Sequence, residues 1–329
     1  MLSDMRMPVW MHPWGVLLAG AVLAGGCGGA CRERYLARFT QTRADELPRG
    51  EIRDAQALGA GAIAVGDAGL IVEFGPDGLM EVDSGVDVNL HALILTPGLL
   101  AVGDAGTILA SGDGVTWRAV DAGTDADLHG ASKSWTSNDV VVVGEDVVLF
   151  SSDGGERWVE LTGEAPAGAL RSVVYVDPGF LAFSADGDVM AVDQDAGTFA
   201  PLGTKVGAAV RNVMFDAVGD AWFVLVDGTT WIGFREGDAW KFDPGGSLPG
   251  CDSDGFRELG DYILCDDGHA RERFSFVDEP GAPLEHYSPA RAATASGDSI
   301  IVFGEDGFAR LYAADHDSRR SDDCGHWPG

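Results

Sequence analysis

The sequence predicts an all-β chain built from one repeated unit. Three observations lead there. Aligning the second turn position of each unit gives Gly69, Gly106, Val147, Gly187, Gly228, Gly268 and Gly307, a near-constant step along almost the whole chain. Between these turns stand short apolar or alternating runs of strand length, and none of them has a helical period. The 47 glycines among 329 residues fall at regular turn positions instead of in low-complexity tracts, so they punctuate structure and do not signal disorder. Seven copies of roughly 40 residues, each with room for four short strands, predict a seven-bladed β-propeller; the polar capping units that an open solenoid needs are missing from the pattern.

Taken in order, the chain opens on an export signal. Arg6 precedes an apolar, small-residue run from Trp14 to Leu23, too short for the ~20 residues a membrane-spanning helix needs. The run ends Leu23-Ala24-Gly25-Gly26-Cys27, which resembles a bacterial lipoprotein signal. Residues 1–26 are therefore expected to be removed, Cys27 to be lipidated, and residues 27–33 to form a short tether; ordinary cleavage near Ala30 is the alternative. Gly28 is not an inner-membrane retention residue, which favours the outer membrane. With Cys27 set aside, Cys31, Cys251, Cys265 and Cys324 remain, an even number in an oxidising compartment. Of the three possible pairings, Cys251–Cys265 and Cys31–Cys324 are favoured, and four buried free thiols are the alternative.

The propeller is expected to span residues 34–315. Its innermost strands would be the segments 52–57, 88–95, 127–132, 170–176, 210–215, 256–259 and 290–295. The last unit runs out after Leu311-Tyr312, so residues 34–40, with strand-like alternation, are expected to supply its outer strand and leave no free edge at the seam. Residues 316–329 read as a polar tail. Two units carry a hairpin signature, Ser111, Asp113 and Trp117 in one and the fuller Ser151, Asp153, Gly155 and Trp158 in the next, the first being a residue short. A carboxylate accepts turn N–H groups, a glycine permits left-handed backbone and a large ring covers the turn, so these residues have a structural explanation.

Residues Leu128 to Trp158, LHGASKSWTSNDVVVVGEDVVLFSSDGGERW, together with 170–187 and 210–228, resemble the Asp-box (BNR-type) repeats of the photosystem II assembly and stability factor-like family. The resemblance implies a seven-bladed propeller acting as an assembly or binding scaffold, often in exported proteins with no photosynthetic role.

Outside the signal peptide the chain has 21 basic and 51 acidic residues, since residues 1–26 remove one of each from 22 and 52. Such acidity excludes nucleic acid and an anionic lipid surface as general partners, leaving membrane attachment to the lipid. Against that background one constellation stands out. Near the start of each inner strand lies a basic or imidazole residue, Arg53, His91, His129, Arg171, Arg211, Arg257 and Arg291, predicting a ring around one mouth of the channel. Six of them precede the aligned turn of their unit by a similar distance along the chain, the differences being those of loop length, while Arg257 lies closer and is the outlier. The functional reading is a carboxylate-docking funnel strengthened at mildly acidic pH by its two histidines; the competing reading is neutralisation by neighbouring Asp and Glu.

No catalytic residue, metal ligand or cofactor site is expected. A sialidase-like hydrolase would need a tyrosine nucleophile with a carboxylate partner beside an arginine triad, and Tyr35, Tyr175, Tyr262, Tyr287 and Tyr312 show no such pattern. Asp252-Ser-Asp254-Gly255 lacks the spacing of a calcium loop. Trp135, Trp222, Trp231 and Trp240 read as fillers between blades more readily than as sugar platforms. The expectation is a monomeric, exported outer-membrane lipoprotein that is not an enzyme and binds an envelope or extracellular protein, for instance through an acidic segment of that protein. A sialidase-like hydrolase or glycan-binding lectin, and a structural envelope protein without a specific ligand, stay open as alternatives.

Overall fold

The apolar runs that follow each opening segment are the most deeply buried part of the chain. Gly61–Gly66, Leu99–Gly103, Val140–Gly144, Gly179–Ser184 and Ser299–Gly304 are almost wholly shielded from solvent. Each is the second strand of its sheet, and neighbouring sheets cover both of its faces. The structure, a computed structural model, describes residues 38–166, 168–206, 210–215, 222–226, 229–236, 239–247, 257–259, 262–264, 269–272, 282–284, 290–296 and 299–315. These fall within one compact unit, Leu36–Asp317. The signal and tether, residues 34–37, all five cysteines and the tail 316–329 lie outside the described residues.

The described strands form seven sheets, antiparallel except for one short strand of the fourth. Sheet I runs Ile52–Leu58, Gly61–Gly66, Ile71–Gly75, Gly78–Val82, and sheet II Leu90–Leu95, Leu99–Gly103, Ile108–Ser111, Trp117–Val120. Sheet III comprises Leu128–Lys133, Val140–Gly144, Val148–Ser151, Val159–Glu160, and sheet IV Leu170–Val176, Gly179–Ser184, Asp188–Asp193, Thr198–Lys205. Sheet V is Val210–Phe215, Trp222–Val226, Thr229–Glu236, Ala239–Ser247, and sheet VI the shorter set Arg257–Leu259, Tyr262–Leu264, His269–Glu272, Ala282–Pro283. Sheet VII takes Ala290–Ser296, Ser299–Gly304 and Phe308–Asp315 from the end of the chain and Arg38–Glu46 from its beginning. The first strand of every sheet falls on the corresponding predicted opening segment, within about two residues at either end.

Alternation along each second strand explains how the sheets stack. Ala62 and Ala64 of sheet I face Ile301 and Phe303 of sheet VII, while Ile63 and Val65 face Leu90, Leu93 and Leu99 of sheet II. The pattern repeats between II and III, III and IV, and IV and V. Phe74 meets Phe303 edge-on with ring centroids 6.3 Å apart. Each large apolar side chain among them contributes about 1.5–3 kcal/mol of burial, so the stack of sheet faces is the core. The first strands lie side by side, with I beside II, and so on through VI beside VII, and VII beside I.

Two features depart from the expected arrangement. The N-terminal outer strand is expected at residues 34–40, yet the strand paired with Phe308–Asp315 is Arg38–Glu46, registered from Arg38 opposite Asp315 to Glu46 opposite Phe308. An outermost strand has no second sheet to bury it, so its polar residues give no apolar alternation; Arg43 instead pairs with Asp45 at 2.5 Å and donates to the Pro76 carbonyl of sheet I at 3.0 Å. Sheet IV also carries a fifth, parallel strand, Thr162–Gly163, beside Thr198 and Phe199. Among the described residues no helix is long and apolar enough to cross a membrane.

Candidate functional site

The seven basic positions are organised by a backbone device that their spacing does not announce. In six sheets the pairing of first and second strands slips by one residue at the start of the first strand: between Ile52 and Asp54, Leu90 and Ala92, Leu128 and Gly130, Leu170 and Ser172, Val210 and Asn212, and Ala290 and Ala292. The residue skipped is Arg53, His91, His129, Arg171, Arg211 or Arg291. A bulge leaves one residue without a ladder partner and redirects its side chain. Arg257 is the exception, since it pairs directly with Leu264 in a strand without a bulge.

The bulges sit where the linker into each sheet meets the second turn. Asp67 N donates to Glu51 O, Asp104 N to Asn89 O, Glu145 N to Asp127 O and Ala185 N to Ala169 O, each at 2.9 Å. The fit is close enough that a Cβ on Gly66, Gly103 or Gly144 would lie 2.0–2.1 Å from the linker carbonyl. The turns therefore deliver one residue each, Asp67, Asp104, Glu145 or Ala185, to the neighbourhood of the bulge.

What the bulge residue meets differs around the ring. Arg53 Nε donates to Asp67 at 2.6 Å, His91 Nε2 donates to Asp104 at 2.5 Å, and Arg291 Nη1 reaches Glu51 of the next linker at 2.9 Å. Burial opposes ionisation of Asp104, but hydrogen bonds from His91 and Asn89 hold its carboxyl below the usual range. At these three positions the basic residue meets a neighbouring carboxylate, as the competing reading of the ring has it. Arg171 differs: its Nη1 donates to His129 Nε2 at 3.1 Å, and among the described residues no carboxylate lies within ion-pair reach of it. His91 and His129 meet edge-on with centroids 5.3 Å apart. Burial, then the Arg171 guanidinium, then His91 push the His129 imidazole down to about 4. His129 is therefore neutral at mildly acidic pH, which corrects the expectation that both histidines charge there. The side chains of Arg211 and Arg257 lie outside the described residues.

The two Asp boxes are turn locks. Ser111 Oγ accepts from Gly114 N at 2.8 Å, and Asp113 Oδ1 accepts from Val115 N and Thr116 N at 2.9 and 2.7 Å. Trp117 Nε1 donates to Gly114 O at 3.0 Å. In the second box Ser151 Oγ accepts from Gly155 N at 2.9 Å, and Asp153 is held at about 2 by the Arg157 side chain, assisted by the Arg157 amide and Ser151. Trp158 packs at the boundary of sheets II and III.

Of the tryptophans, Trp231 and Trp240 pack between sheets IV and V as fillers, and the side chain of Trp222 lies outside the described residues. Trp135 does not fill a blade boundary: it is 66% exposed, with Tyr175 beneath it at 5.6 Å. Tyr175 donates to Asp177 at 2.8 Å and contacts Thr136, and it stands four residues along the strand from Arg171, about 13 Å away at strand rise. Among the described residues no group of His, Cys, Asp or Glu is placed to hold a metal ion. Sequence reasoning found the basic residues but not their partners; the apolar-basic pair opening each first strand, Ile52-Arg53 through Ala290-Arg291, was the available sign of a shared backbone irregularity.

No protein-family model and no curated protein matches this chain. Solved structures do. The computationally designed Ika8 protein superposes with a TM-score of 0.61 at 13% identity, covering 83% of this chain and 99% of that one. The Cps50 (Swd1) β-propeller domain of Myceliophteria thermophila gives 0.61 at 12% identity over 83% of this chain and 100% of that one. A structure of YCF48 bound to D1 peptide gives 0.60 at 17% identity over 84% and 96%. At these identities the likeness concerns the fold, which is that of a β-propeller.

Proposed function

We propose that this chain is an exported, lipid-anchored, seven-bladed β-propeller, closed by its N-terminal strand, that works without catalysis as a docking scaffold for another protein. The observation that carries the reading is the repeated bulge, which presents a basic residue at the same place in six sheets of a strongly acidic chain. Structural elements alone need no such repetition, because a bulge can be built with any side chain. The fold shared with YCF48 bound to D1 peptide, and the Asp-box resemblance to the photosystem II assembly and stability factor-like family, support protein binding as the use of this architecture. The distance between Arg171 and Tyr175 weighs against a sialidase-like site, where the two residue types must face one substrate. In this reading Cys27 carries the lipid, Cys251–Cys265 and Cys31–Cys324 are disulfides, and the outer membrane is the address.

The test is a crosslinked pull-down from envelope extract with wild type and an Arg171→Ala, Arg211→Ala double variant, beside palmitate labelling of wild type and Cys27→Ser. Both baits must show the same thermal melt. A partner captured by wild type and lost by the double variant, with label lost in Cys27→Ser, supports the reading. Equal capture by both baits overturns the docking mouth, and label retained in Cys27→Ser overturns the anchor.

A further inference from the structure

Each first strand ends, away from its bulge, in a hairpin that leads into the second strand. In sheets I, II and IV these hairpins are short, residues 59–60, 96–98 and 177–178; in sheet III the hairpin is residues 134–139. A repeat fold accommodates such an insertion on one face, often the binding face. The inserted hairpin is held firmly. Ser134 N donates to Asp139 O at 2.8 Å, Ser134 Oγ accepts from Thr136 N and Ser137 N at 3.2 Å, and Asn138 O accepts from Gly154 N of the second Asp box at 3.0 Å.

On this frame stands Trp135, 66% exposed, over a side chain that is itself covered. Tyr175 is 3% exposed and meets Trp135 edge-to-face at 5.6 Å and Phe180 at 5.0 Å. Its hydroxyl donates to Asp177 Oδ1 at 2.8 Å and lies 3.1 Å from Thr136 Oγ1. An exposed carboxylate and an exposed hydroxyl therefore converge on one atom beside the indole, with Ser137 and Asn138 exposed in the same hairpin. An isolated apolar residue on a surface needs no explanation. A ring fixed by an inserted, hydrogen-bonded hairpin and flanked by converging polar groups is a different case.

The geometry selects the ligand by elimination. A quaternary ammonium or a proline-rich helix needs a cage or groove with several open rings, and Tyr175 is too buried to be a second wall. A nucleobase stacks on one ring, but its phosphates would meet a chain of net charge -30. A pyranose with equatorial substituents fits: its axial C–H groups suit the electron-rich face of an indole, and its rim hydroxyls can donate to a carboxylate and exchange hydrogen bonds with a side-chain hydroxyl. We propose that Trp135 is the stacking platform of a binding site for a neutral β-1,4-linked chain of glucose-type sugars, with Thr136 and Asp177 taking ring hydroxyls. Tyr175 is a positioning residue, since it holds both. The site lies at the opposite end of the first strands from the bulges and does not depend on the docking reading.

The experiment uses the full chain in a detergent without a sugar headgroup, titrated calorimetrically with cellohexaose, chitohexaose, hexagalacturonate and decaproline, beside saturation-transfer NMR of the two neutral sugars on wild type. Both neutral hexamers are expected to bind, with transfer strongest at ring C–H protons, and hexagalacturonate to bind at least about tenfold more weakly. Trp135→Ala is expected to weaken the neutral sugars at least about tenfold, and Trp135→Phe, which keeps a ring, by less. Arg171→Gln, at the bulge end of the strand that carries Tyr175, is expected to change binding less than about twofold. The variants must melt like wild type; if Trp135→Ala loosens the fold, Trp135→Phe and the transfer pattern on wild type decide. No binding of either neutral hexamer, equal binding by Trp135→Ala, or hexagalacturonate bound as tightly overturns the proposal. So does decaproline bound more tightly than both sugars and lost in Trp135→Ala, which would give the platform to a protein segment. None of these results touches the docking reading, which fails only if capture survives the loss of Arg171 and Arg211.

Discussion

Sheets II and IV share a first-strand bulge and a linker bond to the second turn, yet their turns are held in different ways. In sheet II the turn is Asp104-Ala105-Gly106-Thr107, with Ala105 and Gly106 both left-handed at φ of 54° and 65°. Thr107 N closes it on Asp104 O at 3.1 Å, and the strand before it ends in Gly103. In sheet IV the strand ends in Ser184, fully buried, whose Oγ accepts from Asp186 N and Asp188 N at 3.3 and 3.0 Å. Sheet II supplies a carboxylate beside its bulge and sheet IV a methyl group. The comparison teaches that the repeat keeps where a turn goes while leaving free what it presents there, so the charge beside each bulge is set sheet by sheet.

The largest effect expected is from breaking the turn that sheet II depends on. In Gly106→Ala the new Cβ would stand 1.8 Å from the Thr124 carbonyl, on backbone at φ 65°, and the loss is expected to be about 3 kcal/mol. A chemical-denaturation midpoint indistinguishable from wild type would show that the glycine is not what holds Asp104 in place. The corresponding break in sheet IV is Ser184→Ala, which strands two turn amides and is expected to cost about 1–3 kcal/mol. Ala185→Asp next to it should move stability by no more than about 0.5 kcal/mol; if the two variants were equally damaging, the contrast between a structural and a presenting position would fail.

A change of pH separates the two histidines. His129 is pushed down to about 4 from 6.5 in the folded chain, so the unfolded chain binds the extra proton first as pH falls. Its contribution is fully present above pH 6.5, declines through the interval to about pH 4, and is lost below it. His129→Gln is expected to flatten that part of the stability profile; an unchanged slope between pH 6.5 and 4 would mean that the imidazole titrates in the fold as it does in the unfolded chain. The His91–Asp104 pair also bears on acid stability, so His91→Gln serves as the comparison in the same series.

Much of the architecture was legible because it repeats. Turn glycines at a near-constant step and an apolar run after each opening segment locate the second strands, since any strand buried on both faces must be apolar at every position, as Val140 to Val143 are. The outer strand Arg38–Glu46 is harder to read because its half-buried positions, Gln41, Arg43 and Asp45, are polar, so exposure alternates along it without an apolar pattern. Trp135 is harder to read for a different reason: residue type indicates that a large ring seeks cover, whereas the turn after Lys133 carries it outward onto the edge of Tyr175. The basic ring was legible as a spacing, and the outlying place of Arg257 marked the one position without a bulge.

The sequence by itself determined the repeat, the all-β class, the acidic balance and the positions of the basic residues, because each is a property of neighbours along the chain. Which of those residues stay uncompensated was decided by tertiary structure alone. Asp67 lies 14 residues from Arg53 and Arg171 lies 42 from His129, while Glu51 and Arg291 come from opposite ends of the propeller sequence. Whether such groups meet depends on bulges, turn bonds and sheet neighbours. Charge pairing acts over a few ångströms of space, and only folding converts separation along the chain into that distance.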